Sequence, residues 1–341
     1  MHTERRTPSS SARRITGPGE LLQAVPYLLG FHPVLSLVLV GMHDGMLVVT
    51  ARLDLLDTAD PAVIGHTIDV MVRGGSTSVV AAVYDDEALP GRLGEVPYAG
   101  LVDDVLSAAD KAGCDLVDAL LMGRGRWRSL LCTAPDCCPP EGHEVPGEPS
   151  AFAAAATYEG VVALPDRAAL EALLDPLPPS ARDRLASAVE QAEHAGVAAA
   201  LDGHARRFER SVKRALFAAA RESIEPGWTG VDEVAAARFG AALSGIAVRD
   251  AVWMAVDDGR LDGRPLWRDL ARRLPPPYDA APLFLFGWAA WRSGDGTLAG
   301  IAAERAVSSD PGYSAADLLL AALARGVDPR RLPKLRLPRS A

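Results

Sequence analysis

Short apolar runs alternate with amphipathic helical patterns in the first part of the chain. A helix is predicted over residues 18–29, where Pro18 and Glu20 suit the first turn, Pro26 is expected to kink the helix, and Gly30 suits its end. Its apolar residues recur at helical spacing and are Leu21, Leu22, Val25, Leu28 and Leu29. The chain therefore begins its folded part with an amphipathic helix.

A β-hairpin is predicted next, with strands over residues 35–40 and 46–53 on either side of the turn signal Asp44-Gly45. Asp60-Pro61 then caps a second helix, which Gly74-Gly75 ends. The later elements are predicted as a strand over 78–84, a helix over 98–112, and strands over 116–122 and 126–132. Five strands with helices between them predict an α/β fold with a mixed sheet and flanking helices.

The character of the sequence changes after a proline-rich segment at residues 135–149, which is predicted to be a loop and a domain boundary. Alanine-rich helical patterns then fill most of residues 150–325, with a short strand predicted at 160–164. We therefore predict an α/β domain over residues 15–148, ending in a Cys/Pro-rich loop, and a mainly helical domain over residues 149–328.

A helical hairpin is predicted at residues 280–313. Its small residues and proline, which fall at the spacing of a tetratricopeptide unit, are Gly287, Gly294, Ala299, Ala306 and Pro311. A further helix over residues 315–324 is expected to pack behind it. Since a solenoid needs about three such units, the hairpin either completes the core of its domain or forms a groove for a partner protein.

The composition is that of a folded protein, with 49% apolar and 23% charged residues among 341. Four cysteines, no signal-peptide pattern and no apolar run long enough to cross a bilayer predict a cytoplasmic protein without membrane segments. The net charge is −9, yet residues 1–14 and 329–341 are basic. They are predicted to be a disordered arm and a basic tail, either solvated, held against the acidic body, or presented to an anionic partner.

Three thiols and an imidazole fall close together near the proline-rich segment: Cys132, Cys137, Cys138 and His143. Tetrahedral zinc needs four such N or S donors, so this segment is a candidate structural zinc site. The spacing is not a standard zinc motif, and adjacent cysteine side chains tend to diverge. A reactive thiol, or ordinary buried cysteines, are the alternatives.

Arg124, Arg126 and Arg128 alternate through the last predicted strand, which would place them on one face as a basic stripe. Arginine is suited to phosphate or carboxylate, so the stripe is a candidate anion-binding site. The alternative is an edge strand that is kept unpaired by its charge.

Asp85 and Asp86 follow the predicted strand at residues 78–84, and ligands of open α/β sheets bind outside the carboxyl ends of strands. They are therefore the candidate catalytic residues. No histidine, serine elbow or phosphate loop accompanies them at a telling spacing, so a solvated acidic loop is the alternative.

A cationic helix pattern, formed by Arg206, Arg210, Lys213 and Arg214, could meet phosphates. The acidic charge of the chain as a whole argues against a nucleic-acid partner.

Five stretches of the chain carry a family resemblance, and they are Gly17-Pro18-Gly19-Glu20-Leu21-Leu22, Val25-Pro26-Tyr27-Leu28-Leu29-Gly30-Phe31, Ser36-Leu37-Val38-Leu39-Val40-Gly41, Cys137-Cys138-Pro139-Pro140-Glu141-Gly142 and Gly294-Asp295-Gly296. Together they resemble the actinobacterial DUF4192 family, whose function is unknown. The resemblance runs from about Ile15 to Pro329 and implies a bacterial, cytoplasmic architecture, but no activity.

Two functional hypotheses follow. The first is a non-catalytic binding or regulatory protein that contacts a protein partner through its C-terminal helices or a cleft between domains. The second is an enzyme acting on a small anionic substrate, with the arginines as anchor and Asp85 or Asp86 as acid or base.

Overall fold

The computed structural model describes Ile15 and residues 17–89 and 97–335. The predicted N-terminal arm lies outside these residues, as does the end of the basic tail from residue 336. The chain divides into two compact units, the first ending at Leu170 and the second beginning at Glu171. They are called the first unit and the second unit below.

A six-stranded mixed sheet forms the centre of the first unit, in the order β2-β1-β3-β4-β5-β6. The strands are β1 (Ser36–His43), β2 (Met46–Asp54), β3 (Ser78–Tyr84), β4 (Asp115–Gly123), β5 (Arg126–Ser129) and β6 (His143–Glu144). β3 and β4 pair in parallel, and the other neighbours pair antiparallel. The predicted α/β fold with a mixed sheet is therefore confirmed.

Helices cover both faces of this sheet. They are α1 (Pro18–Leu29), α2 (Pro61–Arg73) and α3 (Ala99–Ala112), and a fourth helix, α4 (Ala151–Tyr158), packs on α1. Ile64 and Ile68 of α2 and Val105 of α3 are buried in the core that contains alternate residues of β1, β3 and β4. α1 lies on the opposite face, where the hydroxyl of Tyr84 contacts the carbonyl oxygen of Leu22 at 3.4 Å.

Local signals set several of these boundaries. The carboxylate of Asp60 accepts a hydrogen bond from the amide of Ala62 at 2.9 Å, and Pro61 begins α2, so the predicted cap is confirmed. Gly30 ends α1 with φ 83°, a left-handed conformation that glycine adopts without steric cost. The hairpin turn at Asp44-Gly45 and the strand Ser78–Tyr84 are also present as predicted.

The strand predictions were wrong at three places. β5 ends at Ser129 rather than at residue 132, and β6 is a sixth strand inside the segment that was predicted to be a loop. The predicted strand at 160–164 is reduced to a single bridge between Phe31 and Leu164. These short pairings depend on partners far away in sequence, which local patterns do not reveal.

Residues 149–170 were assigned to the helical domain from their alanine-rich pattern, whereas they lie in the first unit. Phe152 and Ala156 of α4 pack with Ala24 of α1, together with Val161. This small cluster joins α4 to the α/β unit because the apolar face of α1 that the sheet leaves open needs a cover.

The regular secondary structure of the described residues in the second unit is all helical, as predicted. Its helices are α6 (Pro179–Leu201), α7 (Ala205–Glu222), α8 (Glu233–Ser244), α9 (Ile246–Asp257), α10 (Arg264–Arg273), α11 (Ala280–Arg292), α12 (Gly296–Ser309) and α13 (Ser314–Ala324), preceded by the short α5 (Arg167–Glu171) at the division between units. Within the described part of the chain no single helix could span a membrane, and only α8 and α9 taken together, across a bend of 98°, reach the necessary length and apolarity.

The predicted hairpin is formed by α11 and α12. A Cβ atom added to Gly287 would lie 3.1 Å from the carbonyl oxygen of Ala299 and 3.4 Å from Leu319 of α13. Glycine at this position therefore allows α11 to approach α12 closely, with α13 packed behind, as the small-residue spacing predicted.

Candidate functional site

A pocket of about 510 Å³ lies in the first unit, beside the ends of β3 and β4. Both strands are parallel and deliver their carboxyl ends to this edge, which is where open α/β sheets bind ligands. Asp85, Asp86 and Met122 line the pocket there. The structure therefore brings the two carboxylates that were singled out in the sequence to a concave surface.

The carboxylate of Asp85 is already held by its own loop. It accepts hydrogen bonds from the amide of Glu87 at 2.9 Å and from the hydroxyl of Tyr98 at 2.5 Å. Burial, and then the bond to Asp85, raises the pKa of Tyr98 well above its usual range, so this phenol stays a donor. These two bonds orient the carboxylate of Asp85, while Asp86 is more exposed.

Close backbone packing fixes this loop against β4. A Cβ atom at Gly123 would lie 2.3 Å from the carbonyl oxygen of Asp85, so a larger residue would displace the loop. The amide of Arg124 also donates to the carboxylate of Asp86 at 2.7 Å. The position of both aspartates therefore depends on the turn that follows β4.

The opposite wall of the pocket consists of α1 and the proline-rich segment. The side-chain amide of Gln23 donates to the carbonyl oxygens of Pro146 at 2.9 Å and Glu148 at 3.3 Å, and its oxygen accepts the amide of Ser150 at 2.5 Å. This segment was predicted to be a domain boundary, yet it forms part of a site. Sequence reasoning missed Gln23, Glu148 and His32, because these lining residues are far apart along the chain and carry no local motif.

The three arginines of the predicted stripe have separate surroundings. Arg124 lies in the turn between β4 and β5 and pairs with Glu87 at 3.2 Å. Arg126 pairs with Glu144 at 2.9 Å, and Arg128 is only 8% exposed, with no partner for its Nε among the described residues. β5 is paired on both sides and is therefore not an edge strand. Anion binding by these residues stays a prediction.

The predicted cysteine cluster forms in part. The sulfur atoms of Cys132, Cys137 and Cys138 all lie within 4.8 Å of one another. The carbonyl oxygen of Ala134 accepts the amides of Cys137 at 3.1 Å and Cys138 at 2.8 Å, and this turn brings the two adjacent thiols together. The expectation that they diverge was wrong because the tight turn redirects them.

His143, the predicted fourth ligand, lies outside the group of converging donors. Its Nε2 is 2.8 Å from the carbonyl oxygen of Cys137, and its ring packs on Trp127 with centroids 4.9 Å apart. Pairing of β5 with β6 places the imidazole there rather than beside the sulfur atoms.

The thiols differ in acidity. The pKa of Cys132 is lowered by a hydrogen bond from the backbone at Ala134 and by the neighbouring thiol of Cys138. Burial raises the pKa of Cys138 to about 11. The cluster therefore combines a thiol that ionises readily with one that resists ionisation unless a cation is bound.

A second candidate site lies in the second unit, at the end of α9. The side chain of Asp257 is buried, accepts a hydrogen bond from the indole of Trp288 at 3.1 Å, and pairs with Arg292 at 3.3 Å. A buried carboxylate needs such partners because its desolvation is costly. Trp253 and Trp291 pack around Trp288 with ring centroids 5.0 Å away.

The C-terminal segment, defined here as residues 328–335, is bound at this position. The amide of Leu335 donates to the carboxylate of Asp257 at 2.6 Å, and the ammonium of Lys334 donates to the carbonyl oxygen of Asp258 at 2.8 Å. Arg292 donates to the carbonyl oxygen of Pro329. The beginning of the predicted basic tail is thus held against the protein's own helices rather than solvated.

Comparison with known proteins gives a family and no activity. No curated protein and no solved structure shows significant similarity to the chain. The family model described as a domain of unknown function, DUF4192, matches residues 18–330. Because this match covers most of the sequence, the chain belongs to the DUF4192 family.

Proposed function

We propose that the protein is a non-catalytic binding or regulatory protein, and that its helical unit binds a peptide segment against α9 and α11. The observation that carries the proposal is the hydrogen bond from the backbone amide of Leu335 to the buried carboxylate of Asp257. A hydrogen bond to the backbone recognises a peptide irrespective of its side chains. A segment of a partner protein with the same backbone geometry and a basic residue would compete for this position.

Charge supports the same interpretation. The helical surface offers the carboxylate of Asp257 and the carbonyl oxygen of Asp258, and the segment brings the backbone amide of Leu335 and the ammonium of Lys334 to them. Arg292 makes the opposite kind of contact, because its guanidinium on the helical surface donates to carbonyl oxygens of the segment. The site therefore addresses both donors and acceptors of a bound chain.

The experiment is binding in trans. A chain ending at Val327 is mixed with a fluorescent peptide of residues 328–341, and anisotropy reports binding. We expect the truncated chain to bind, and the full-length chain to bind at least roughly tenfold more weakly, because its own segment competes at millimolar effective concentration. Failure of the truncated, folded chain to bind the peptide would contradict the proposal.

A matched pair of peptides tests the contacts. Lys334→Ala removes the bond to Asp258 and should weaken binding, whereas Arg330→Ala removes a side chain that pairs with Asp328 inside the segment itself. Equal effects of the two changes would indicate attraction by overall charge rather than recognition at this site.

The alternative of an enzyme acting on an anionic substrate has less support. Asp85, Asp86 and Glu148 line the pocket of the first unit, and none of the described residues that line it is lysine or arginine. An anion would therefore meet repulsion there.

A structural zinc ion is proposed at Cys132, Cys137 and Cys138, with the fourth donor left open. Three converging thiolates are a soft ligand set that suits zinc, and a bound cation would hold Cys138 ionised despite its raised pKa. Zinc per chain is measured by native mass spectrometry for the protein and for Cys132→Ser and Cys114→Ser. We expect one zinc, lost in the first variant and kept in the second, because Cys114 is buried elsewhere. A folded protein without zinc ends the proposal.

A further inference from the structure

The pocket of the first unit has the size and lining of a small-molecule site. Its volume of about 510 Å³ lies within the range of 300–1,000 Å³ that is usual for ligand pockets. Most of its lining is apolar and comes from α1, the segment 32–34, the end of β4 and the proline-rich segment. The apolar and aromatic lining residues include Leu22, Pro26, Tyr27, Val34, Tyr84 and Met122.

Among the described lining residues, the formal charges that do not depend on histidine are negative and come from Asp85, Asp86 and Glu148. Arg124 lies in the turn that follows β4, and its guanidinium pairs with Glu87. From the cavity, its apolar lining and the sign of its charge together, we propose that the pocket binds a small organic amine with an apolar or aromatic body.

Local bonds leave part of this charge available. One oxygen of Asp85 accepts the amide of Glu87, and the other accepts the hydroxyl of Tyr98. This residue therefore contributes mainly the electrostatic field of its carboxylate, rather than a hydrogen bond to the ligand. One oxygen of Asp86 accepts the amide of Arg124, and its other oxygen accepts no hydrogen bond from the described residues. Tyr27 adds an aromatic side chain of the kind that attracts cations.

The walls are held before any ligand arrives. Gln23 ties the segment at Pro146 and Glu148 to α1, and the close approach at Gly123 fixes the loop that carries Asp85 and Asp86. A preformed pocket lowers the ordering cost of binding.

A metal ion fits the pocket less well than an amine. Among the described residues, the donors that converge within 4.8 Å in a group of three or more are the cysteine sulfurs, and the acids of the pocket do not form such a group. Divalent cations need several oxygen ligands at about 2.0–2.6 Å from one ion. Carboxylates that are spread along an apolar wall suit an extended organic cation instead.

The test uses three probes of one shape and different charge: 2-phenylethylamine, 2-phenylethanol and phenylacetate. Binding to the full-length protein is followed by ligand-observed NMR titration at low ionic strength. We expect the amine to bind most tightly, the alcohol more weakly, and phenylacetate least. Added salt should weaken binding of the amine and leave binding of the alcohol unchanged. Absence of amine binding, or equal binding of phenylacetate, overturns the proposal.

Variants locate the binding. Asp86→Asn and Glu148→Gln should each weaken binding of the amine by roughly fivefold, as expected for one partly exposed charge pair. Binding of the alcohol should not change in either variant. Asp69→Asn is the matched control, since Asp69 is exposed on α2 across the sheet. Thermal unfolding confirms that each variant is folded. If Asp86→Asn and Asp69→Asn behave alike, the amine binds elsewhere and the proposal fails, whereas the peptide site of the helical unit is unaffected.

Discussion

The carboxylate of Asp257 accepts a hydrogen bond from the backbone amide of Leu335 at 2.6 Å, across 78 positions of sequence. Asp257 ends α9 and is also the counter-ion of Arg292 on α11, so one buried carboxylate connects two helices and the C-terminal segment. Because each partner replaces part of the lost hydration, the loss of any of them leaves charge or polar groups unsatisfied.

Replacement of Asp257 by asparagine should lower the free energy of unfolding by about 3 to 5 kcal/mol, because Arg292 then lacks its counter-ion in a largely buried position. Urea unfolding followed by tryptophan fluorescence measures this change, since Trp288 contacts Asp257 directly. Asp258→Asn is the control, because Asp258 pairs with the exposed Arg260, and such pairs contribute about 1 kcal/mol or less. Similar losses in both variants would refute a special role for the buried pair.

The carboxyl group of Asp279 should make the folding stability of the protein depend on pH. Burial raises its pKa, although the hydroxyl of Ser309 and the charge of Arg182 oppose this shift. From the ordinary aspartate value of about 3.9 up to the raised pKa, the folded state binds more protons than the unfolded state, so stability falls as pH rises. Asp279→Asn should remove this fall in a series of urea unfolding curves.

Ser309→Ala provides the opposite case. It removes a hydrogen bond that favours the ionised carboxylate of Asp279, so the pKa should rise further and stability should fall more steeply with pH. Parallel pH profiles for the wild type and both variants would show that Asp279 does not titrate in this range.

Alkylation should distinguish the thiols of the metal-free protein. The backbone bond at Ala134 lowers the pKa of Cys132, while burial raises that of Cys138 to about 11, so iodoacetamide near pH 8 should modify Cys132 well before Cys138. Peptide mapping by mass spectrometry at timed intervals gives the order, and the buried Cys114 serves as the slow internal reference. Modification of Cys138 first would contradict this assignment.

Gly123→Ala should destabilise the first unit by about 2 kcal/mol or more, because the added methyl group would meet the backbone of Asp85 and displace the loop at the pocket. Gly65→Ala is the matched control. It lies in α2 with nothing within 4 Å of the added atom, so it should stabilise by about 0.5 to 1 kcal/mol. Thermal unfolding compares the two, and a neutral Gly123→Ala would show that the loop yields easily.

Local signals alone predicted most of the elements. The cap at Asp60-Pro61, the turn at Asp44-Gly45 and the continuous apolar run of β3 act within a few residues, so their outcome is readable from sequence. The small residues around Gly287 likewise predicted the hairpin of α11 and α12, because close helix packing requires a missing side chain at a fixed spacing.

The tertiary structure decided which residues come together at the candidate sites. Gln23 and Glu148 meet in one wall of the pocket, and Asp257 meets Leu335, through contacts between positions that are distant along the chain. His143 has suitable chemistry for a metal ligand, but strand pairing directs it to the carbonyl oxygen of Cys137. Local sequence determined the helices, most of the strands and the acidic segments. The packing of those segments determined which side chains converge, because convergence depends on many weak long-range contacts at once.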